Sequence, residues 1–190
     1  SHTPFKLDGK VYTSIEGFWQ MMKYPDPDDP GDPRQRSDLS WKYTREQVSQ
    51  LFGFDAKQAG DAAKENYEKL GIKWISYRGK RMEYKGKDQE EHYKLIFRAT
   101  QSKIDQNLKA KELLIKTGNL LLRPDHRQPA DAPPAYRYYE ILMNIRKQKQ
   151  QQSFGLLHAP QDGITHIELF YGPRECNFIV FSIKFFSVLA

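Results

Sequence analysis

Glu16, Gln20 and Lys23 fall at i, i+4 and i+7, so on a helix a carboxylate, a carboxamide and a primary amine stack along one stripe. Such a stripe offers an acid and a base to the same ligand. Two effects act on the carboxylate. Exposed amides at a helix N-terminus favour its ionised form, whereas burial against Trp19 and Phe18 opposes it, and the spacing leaves that balance open. Polar i, i+4 pairs are also common on solvated helices, so the plainer reading of the same residues is a solvated face.

The helix carrying these groups is predicted to be anchored by its other side. Ile15, Phe18, Trp19 and Met22 recur at i, i+3, i+4 and i+7, the spacing of a stripe turned into a core. Ahead of it, FKLDGKVY (5–12) predicts two short strands turned at Asp8-Gly9, and Thr13 or Ser14 is placed to cap the helix. A tight hairpin feeding a capped helix holds Glu16 in the first turn.

The remaining chain reads as mostly helical. Residues 25–38, PDPDDPGDPRQRSD, are too rich in Pro and Asp for a regular element and predict an exposed insertion. Its aspartates lack the spacing and closing Glu of a calcium loop. Thr44 with Gln47 forms a capping-box pair for a helix ending near Gly53, and Asp55 opens another ending near Gly71. Residues 72–87 look irregular. Asp88 with Glu91 predicts a second capping box and a helix from His92 to about Asp105; Leu108 to Lys116 is a helix stopped by Gly118, and Ala135 to Lys149 is the last, entered through Pro133-Pro134. Residues 164–190, rich in β-branched and aromatic side chains, read as strands. The expected class is α+β: one predominantly helical domain over residues 1–190, with a small sheet formed by the N-terminal hairpin and the C-terminal strands.

Composition narrows the function classes. A chain of 190 residues has the length for one domain with a real core. Its net charge of +6 favours anionic partners such as phosphates, nucleotides or nucleic acid. A single cysteine, Cys176, allows no internal disulfide and fits a reducing, cytoplasmic setting. No Cys/His pair has metal-ligand spacing, and there is no Gly-rich phosphate loop or Gly-x-Ser-x-Gly elbow, so chemistry by side chains alone, without metal or cofactor, is expected. The apolar run from Cys176 to Ala190 is short for a membrane span and contains Lys184, and no signal peptide is read.

The first stretch also resembles the opening motif of the NADAR family, which includes the YbiA-like proteins: K-x-D-G-K-x-(Y/W)-x-(T/S)-x-E-x-(Y/F)-x-Q-x-x-K. Lys6, Asp8, Gly9, Lys10, Tyr12, Ser14, Glu16, Phe18, Gln20 and Lys23 meet it without a gap. Downstream, Ala56-Lys57-Gln58-Ala59-Gly60 looks like the family's A-A-(K/R)-x-x-G segment, and Ala99 with Ser102 to Gln106 is similar to A-x-x-A-K-F-x-Q. Residues 112–118 are similar to L-x-x-L-L-x-T-g, and residues 141–146 to L-L-M-x-(I/L)-R. The resemblance therefore covers residues 5–150 in family order, which makes 1–150 the family core and 151–163 a linker to 164–190.

The tail resembles what the family normally carries before the hairpin. Phe185-Phe186-Ser187-Val188-Leu189-Ala190, joined to Ser1 through Lys6, is similar to the family's F-x-S-N-F segment, with Val188 where the family usually has Asn. A circularly permuted chain is the expectation; a second tandem copy, a domain swap and an unrelated β extension are the other readings.

The resemblance implies hydrolysis of an N-glycosidic bond. Family activities include removal of ADP-ribose from the guanine amine of DNA or nucleotides, as the antidote to a DarT-type toxin, and cleavage of phosphorylated riboflavin-pathway intermediates. Glu16 is then the expected proton donor and acceptor, and Lys23 either captures the C1 aldehyde as an imine or holds a phosphate. Gln20 orients the pair. Further substrate contacts expected are Trp19 stacking on a base, Asp125 on ribose hydroxyls, His126 on a phosphate or base edge, Arg78 with Lys80 and Arg81 on phosphates, and Ser187 in the tail. Each has a plainer reading: Trp19 as core, Asp125 as an Asx turn beside Pro124, Arg78 in a solvated basic loop. A non-catalytic module that binds ADP-ribose or nucleic acid is the rival class.

Overall fold

The N-terminal hairpin is built as the sequence demands, β1 (Phe5–Leu7) pairing antiparallel with β2 (Lys10–Tyr12) in the register Phe5 to Tyr12 and Leu7 to Lys10. Asp8 and Gly9 both take positive φ, 49° and 86°, which two-residue hairpin turns of matching twist require. The structure is a computed structural model and describes residues 3–124, 128–129 and 131–157. The predicted C-terminal strands, Cys176 and the permutation question lie outside the described residues. No helix among those described is long and apolar enough to cross a membrane.

The fold is mixed α+β. After the hairpin come α1 (Ile15–Met21), α2 (Arg45–Ser49), α3 (Gly53–Ala62) and α4 (Lys64–Leu70). A second hairpin follows, β3 (Ile75–Tyr77) with β4 (Lys80–Met82), then α5 (Gln89–Gln106), α6 (Leu108–Lys116) and α7 (Tyr138–Leu157). Among the described residues the two hairpins form separate two-stranded sheets. The N-terminal hairpin thus pairs only with itself there, and its outer edge is closed by a side chain: Gln106 accepts from the Lys6 amide and donates to the Lys6 carbonyl, both at 2.7 Å. That mimicry of a strand ties β1 to the end of α5.

Several boundaries differ from the sequence reading for definable reasons. Residues 72–87 contain a hairpin because Arg78 and Gly79 both adopt positive φ, an Arg-Gly turn without the usual Asn or Asp signal. Gly53 begins α3 instead of ending α2. Asp88 does not cap α5; its carboxylate accepts from the Glu83 amide at 2.8 Å. α7 continues to Leu157, into residues 151–157 where a linker was expected. The Thr44–Gln47 capping box and the stop of α6 before Gly118, with φ of 54°, form as predicted.

The largest correction concerns residues 25–38. Much of the segment is exposed as expected, but Asp26, Asp32 and Arg34 are buried, Arg34 completely, and Pro33–Gln35 form a turn of 3-10 helix. Proline and aspartate preclude a regular ladder, but the aspartates replace it by accepting the segment's own amides. Asp32 takes the amides of Asp26 and Arg34 at 2.7 and 2.9 Å, and Asp26 takes that of Asp28 at 3.2 Å. Arg34 then pairs with Asp32, donates to Met22 O at 2.9 Å and to Ser76 Oγ, and lies over the Trp74 ring at 4.5 Å. Arg45 donates to Met21 O and Tyr24 O. The two arginines therefore add side-chain donors to the Met21 and Met22 carbonyls, which also accept from the Tyr24 and Ser76 amides, and so fix the backbone from which Lys23 extends.

Candidate active site

α1 enters from a cap. Ser14 Oγ accepts from the Gly17 amide at 2.8 Å and donates to Leu51 O at 2.8 Å, which docks the helix start on the segment after α2. Phe18 and Met22 are fully buried, Phe18 meeting Tyr12 and Tyr77 edge-on at 4.8 and 5.4 Å. That buried side turns Glu16, Trp19, Gln20 and Lys23 to the helix's half-buried flank, toward α3 and the aromatic residues of the α5 side.

Two of the three groups of the stripe are joined directly, and the third is held by α3. Gln20 Nε2 donates to Glu16 Oε1 at 2.7 Å. Lys23 Nζ donates to Gly60 O of α3 at 3.4 Å and lies 5.3 Å from the Trp19 ring centroid. Burial pushes the Lys23 ammonium below its ordinary value of 10.5; the carboxylates of Glu16 and Asp61 pull the other way, and Lys85 reinforces the fall. Burial thus shifts Lys23 in the direction of its neutral form, and the Glu16 charge opposes that shift.

An aromatic wall stands behind the stripe. Trp19 is met edge-on by Tyr84, His92 and Tyr136 at centroid distances of 5.2, 5.1 and 5.8 Å. Burial raises the phenols of Tyr84 and Tyr136 above their ordinary value, with the Glu16 carboxylate adding to the rise at Tyr136. His92 is completely buried, neither ring nitrogen has a partner, and burial pushes its pKa down to about 4, so it is neutral at pH 7. Trp19 serves as wall and core at once.

The other expected contacts are placed differently. Arg78 occupies the β3–β4 turn, 66 % exposed, 3.7 Å from the Asp8 carboxylate. It lines a cleft of about 240 Å³ with Asp8, Tyr12, Met21 and Tyr77. Met21 is roughly 140° around α1 from Glu16, so the structure does not bring Arg78 to the stripe. Lys80 pairs with Glu91 and Arg81 with Asp29, at 2.5 and 2.7 Å. Asp125, His126 and Ser187 lie outside the described residues. Among the described residues no group of three His, Cys, Asp or Glu side chains is arranged to hold a metal ion.

Sequence reasoning missed Tyr84, His92 and Tyr136, which come from two distant segments and carry no spacing that links them to Trp19. Gly60 did leave a trace: a glycine inside a helix, following Ala59, marks a close approach of another element. Comparisons with protein-family models, curated proteins and solved structures find no match to this chain.

Proposed function

We propose that this protein is a hydrolase of N-glycosidic bonds that removes ADP-ribose from the guanine amino group of DNA or nucleotides, with Glu16 and Lys23 as its working groups. The proposal includes the YbiA-like arrangement of the fold. One observation carries most weight: a half-buried lysine, pushed toward its neutral form, shares a helix stripe with a carboxylate held by Gln20.

The chemistry needs both. Glu16 in its acid form donates a proton to the ribose ring oxygen as the C1–O bond breaks, leaving C1 as an iminium to the guanine nitrogen. Neutral Lys23 adds to C1, the guanine amine departs with a proton, and the sugar remains as an imine on Nζ. Water, oriented by the Glu16 carboxylate, hydrolyses that imine and returns ADP-ribose and the free amine. One water is consumed overall. Trp19 with Tyr84 and Tyr136 offers aromatic surface for the planar leaving group.

Incubating the full chain with an oligonucleotide ADP-ribosylated on guanine tests this, with a phosphorylated riboflavin-pathway intermediate as a parallel substrate. Free ADP-ribose supports the proposal; retention of the intact oligonucleotide indicates a reader, and turnover of the riboflavin intermediate alone moves the substrate assignment to that class. Absence of both binding and turnover refutes the proposal.

A further inference from the structure

Gly60 sits inside α3, buried and in ordinary helical conformation, so no backbone requirement explains it. A glycine there weakens the helix relative to alanine. What explains it is space: a Cβ built at residue 60 would overlap Gln20 Oε1 and Cδ and stand 3.0 Å from Nε2. The carboxamide of Gln20 lies directly on the α3 backbone, where a methyl group would be.

The orientation of that carboxamide is unusual. Oε1 is buried without a hydrogen-bond partner, while Nε2 faces Glu16 at 2.7 Å. A buried acceptor left unpaired is costly, so the flat face of Gly60 holds the amide in a pose that serves Glu16 at the expense of its own oxygen. The same residue's carbonyl accepts from Lys23 Nζ at 3.4 Å. One glycine thus touches both arms of the stripe.

We infer that Gly60 is a positioning residue, its missing side chain seating Gln20 against α3 so that the amide donor is aimed at Glu16, while its carbonyl holds the Lys23 amine beside them. The catalytic meaning of this contact rests on the function proposed above; the contact itself does not.

The test is a cycle of full-length wild type, Gly60→Ala, Gln20→Ala and the double variant, followed by two readouts. In 15N spectra the Gln20 side-chain amide of wild type is expected to be shifted by its carboxylate acceptor; Glu16→Gln is expected to change that shift, and Gly60→Ala to abolish the response to Glu16→Gln. In turnover of ADP-ribosylated guanine, kcat is expected to fall roughly 10- to 100-fold in Gly60→Ala with KM within about twofold, as for a misplacement of about 1 Å. Adding Gly60→Ala to Gln20→Ala is expected to cost less than twofold more. If Gly60→Ala does not fold, the double variant is expected to fold and to melt near Gln20→Ala, because the overlapping atoms are gone. An unchanged amide response, a fully additive cycle, or a double variant as unstable as Gly60→Ala overturns the inference. Wild type without turnover but with an amide signal lost in Gly60→Ala refutes the proposed function and leaves the positioning contact standing.

Discussion

Arg34→Ala is expected to destabilise the protein severely, although it sits in a segment whose composition reads as a solvated loop. The guanidinium and the Asp32 carboxylate are both fully buried and joined at 2.8 Å. Removing one partner of a buried pair costs about 3–5 kcal/mol, because the other charge remains without compensation. Ser76 Oγ also loses its donor, Met22 O keeps only the Ser76 amide, and Trp74 loses the guanidinium over its face. For a domain of this size each kcal/mol lowers Tm by about 2–4 °C, so the expected fall is about 6–20 °C. Thermal and urea unfolding of the variant check it. Adding Asp32→Asn to Arg34→Ala is expected to recover part of the loss by removing the stranded charge. An Arg34→Ala protein within about 0.5 kcal/mol of wild type, as for an exposed loop residue, would refute the burial argument, and absence of any recovery would refute its electrostatic part.

His92 makes stability pH-dependent in a defined window. Its pKa is lowered from 6.5 to about 4, so below pH 6.5 the unfolded chain binds a proton that the folded chain does not; stability falls from pH 6.5 to about 4, by roughly 3 kcal/mol in total. His92→Leu is expected to flatten that decline in urea titrations across the window, and an unchanged slope would contradict the assignment. Asp32 acts lower down: burial raises its pKa, but hydrogen bonds to Arg34 and to the Asp26 and Arg34 amides outweigh that and lower it below 3.8. Its contribution is present above pH 3.8 and disappears as pH falls through the lowered value, which Asp32→Asn unfolding curves below pH 4 check. At the active site, borohydride added during turnover is expected to trap a sugar adduct on Lys23, identified by peptide mass. No adduct on Lys23 removes the imine step.

What the sequence disclosed follows the range of the forces involved. The hairpin at Asp8-Gly9, the Ser14 cap, the Thr44–Gln47 box and the Ile15, Phe18, Trp19, Met22 stripe are set by neighbours within a few residues, and the Glu16, Gln20, Lys23 alignment follows from helix geometry alone. The inward fold of residues 25–38 depends on Arg34 meeting Ser76 and Trp74, some 40 residues away, which no local pattern announces. Likewise the wall around Trp19 draws Tyr84 and His92 from one region and Tyr136 from another. Arg78 reads as a phosphate contact by charge, yet its turn carries it to a different side of α1 from Glu16.

The most direct measurement is release of free ADP-ribose from a guanine-ADP-ribosylated oligonucleotide by wild type, Glu16→Gln and Lys23→Ala, each shown by circular dichroism to be folded. Wild type is expected to release it and both variants to lose at least about 100-fold in rate. Wild-type rates in both folded variants would contradict the claim that this helix stripe performs the chemistry.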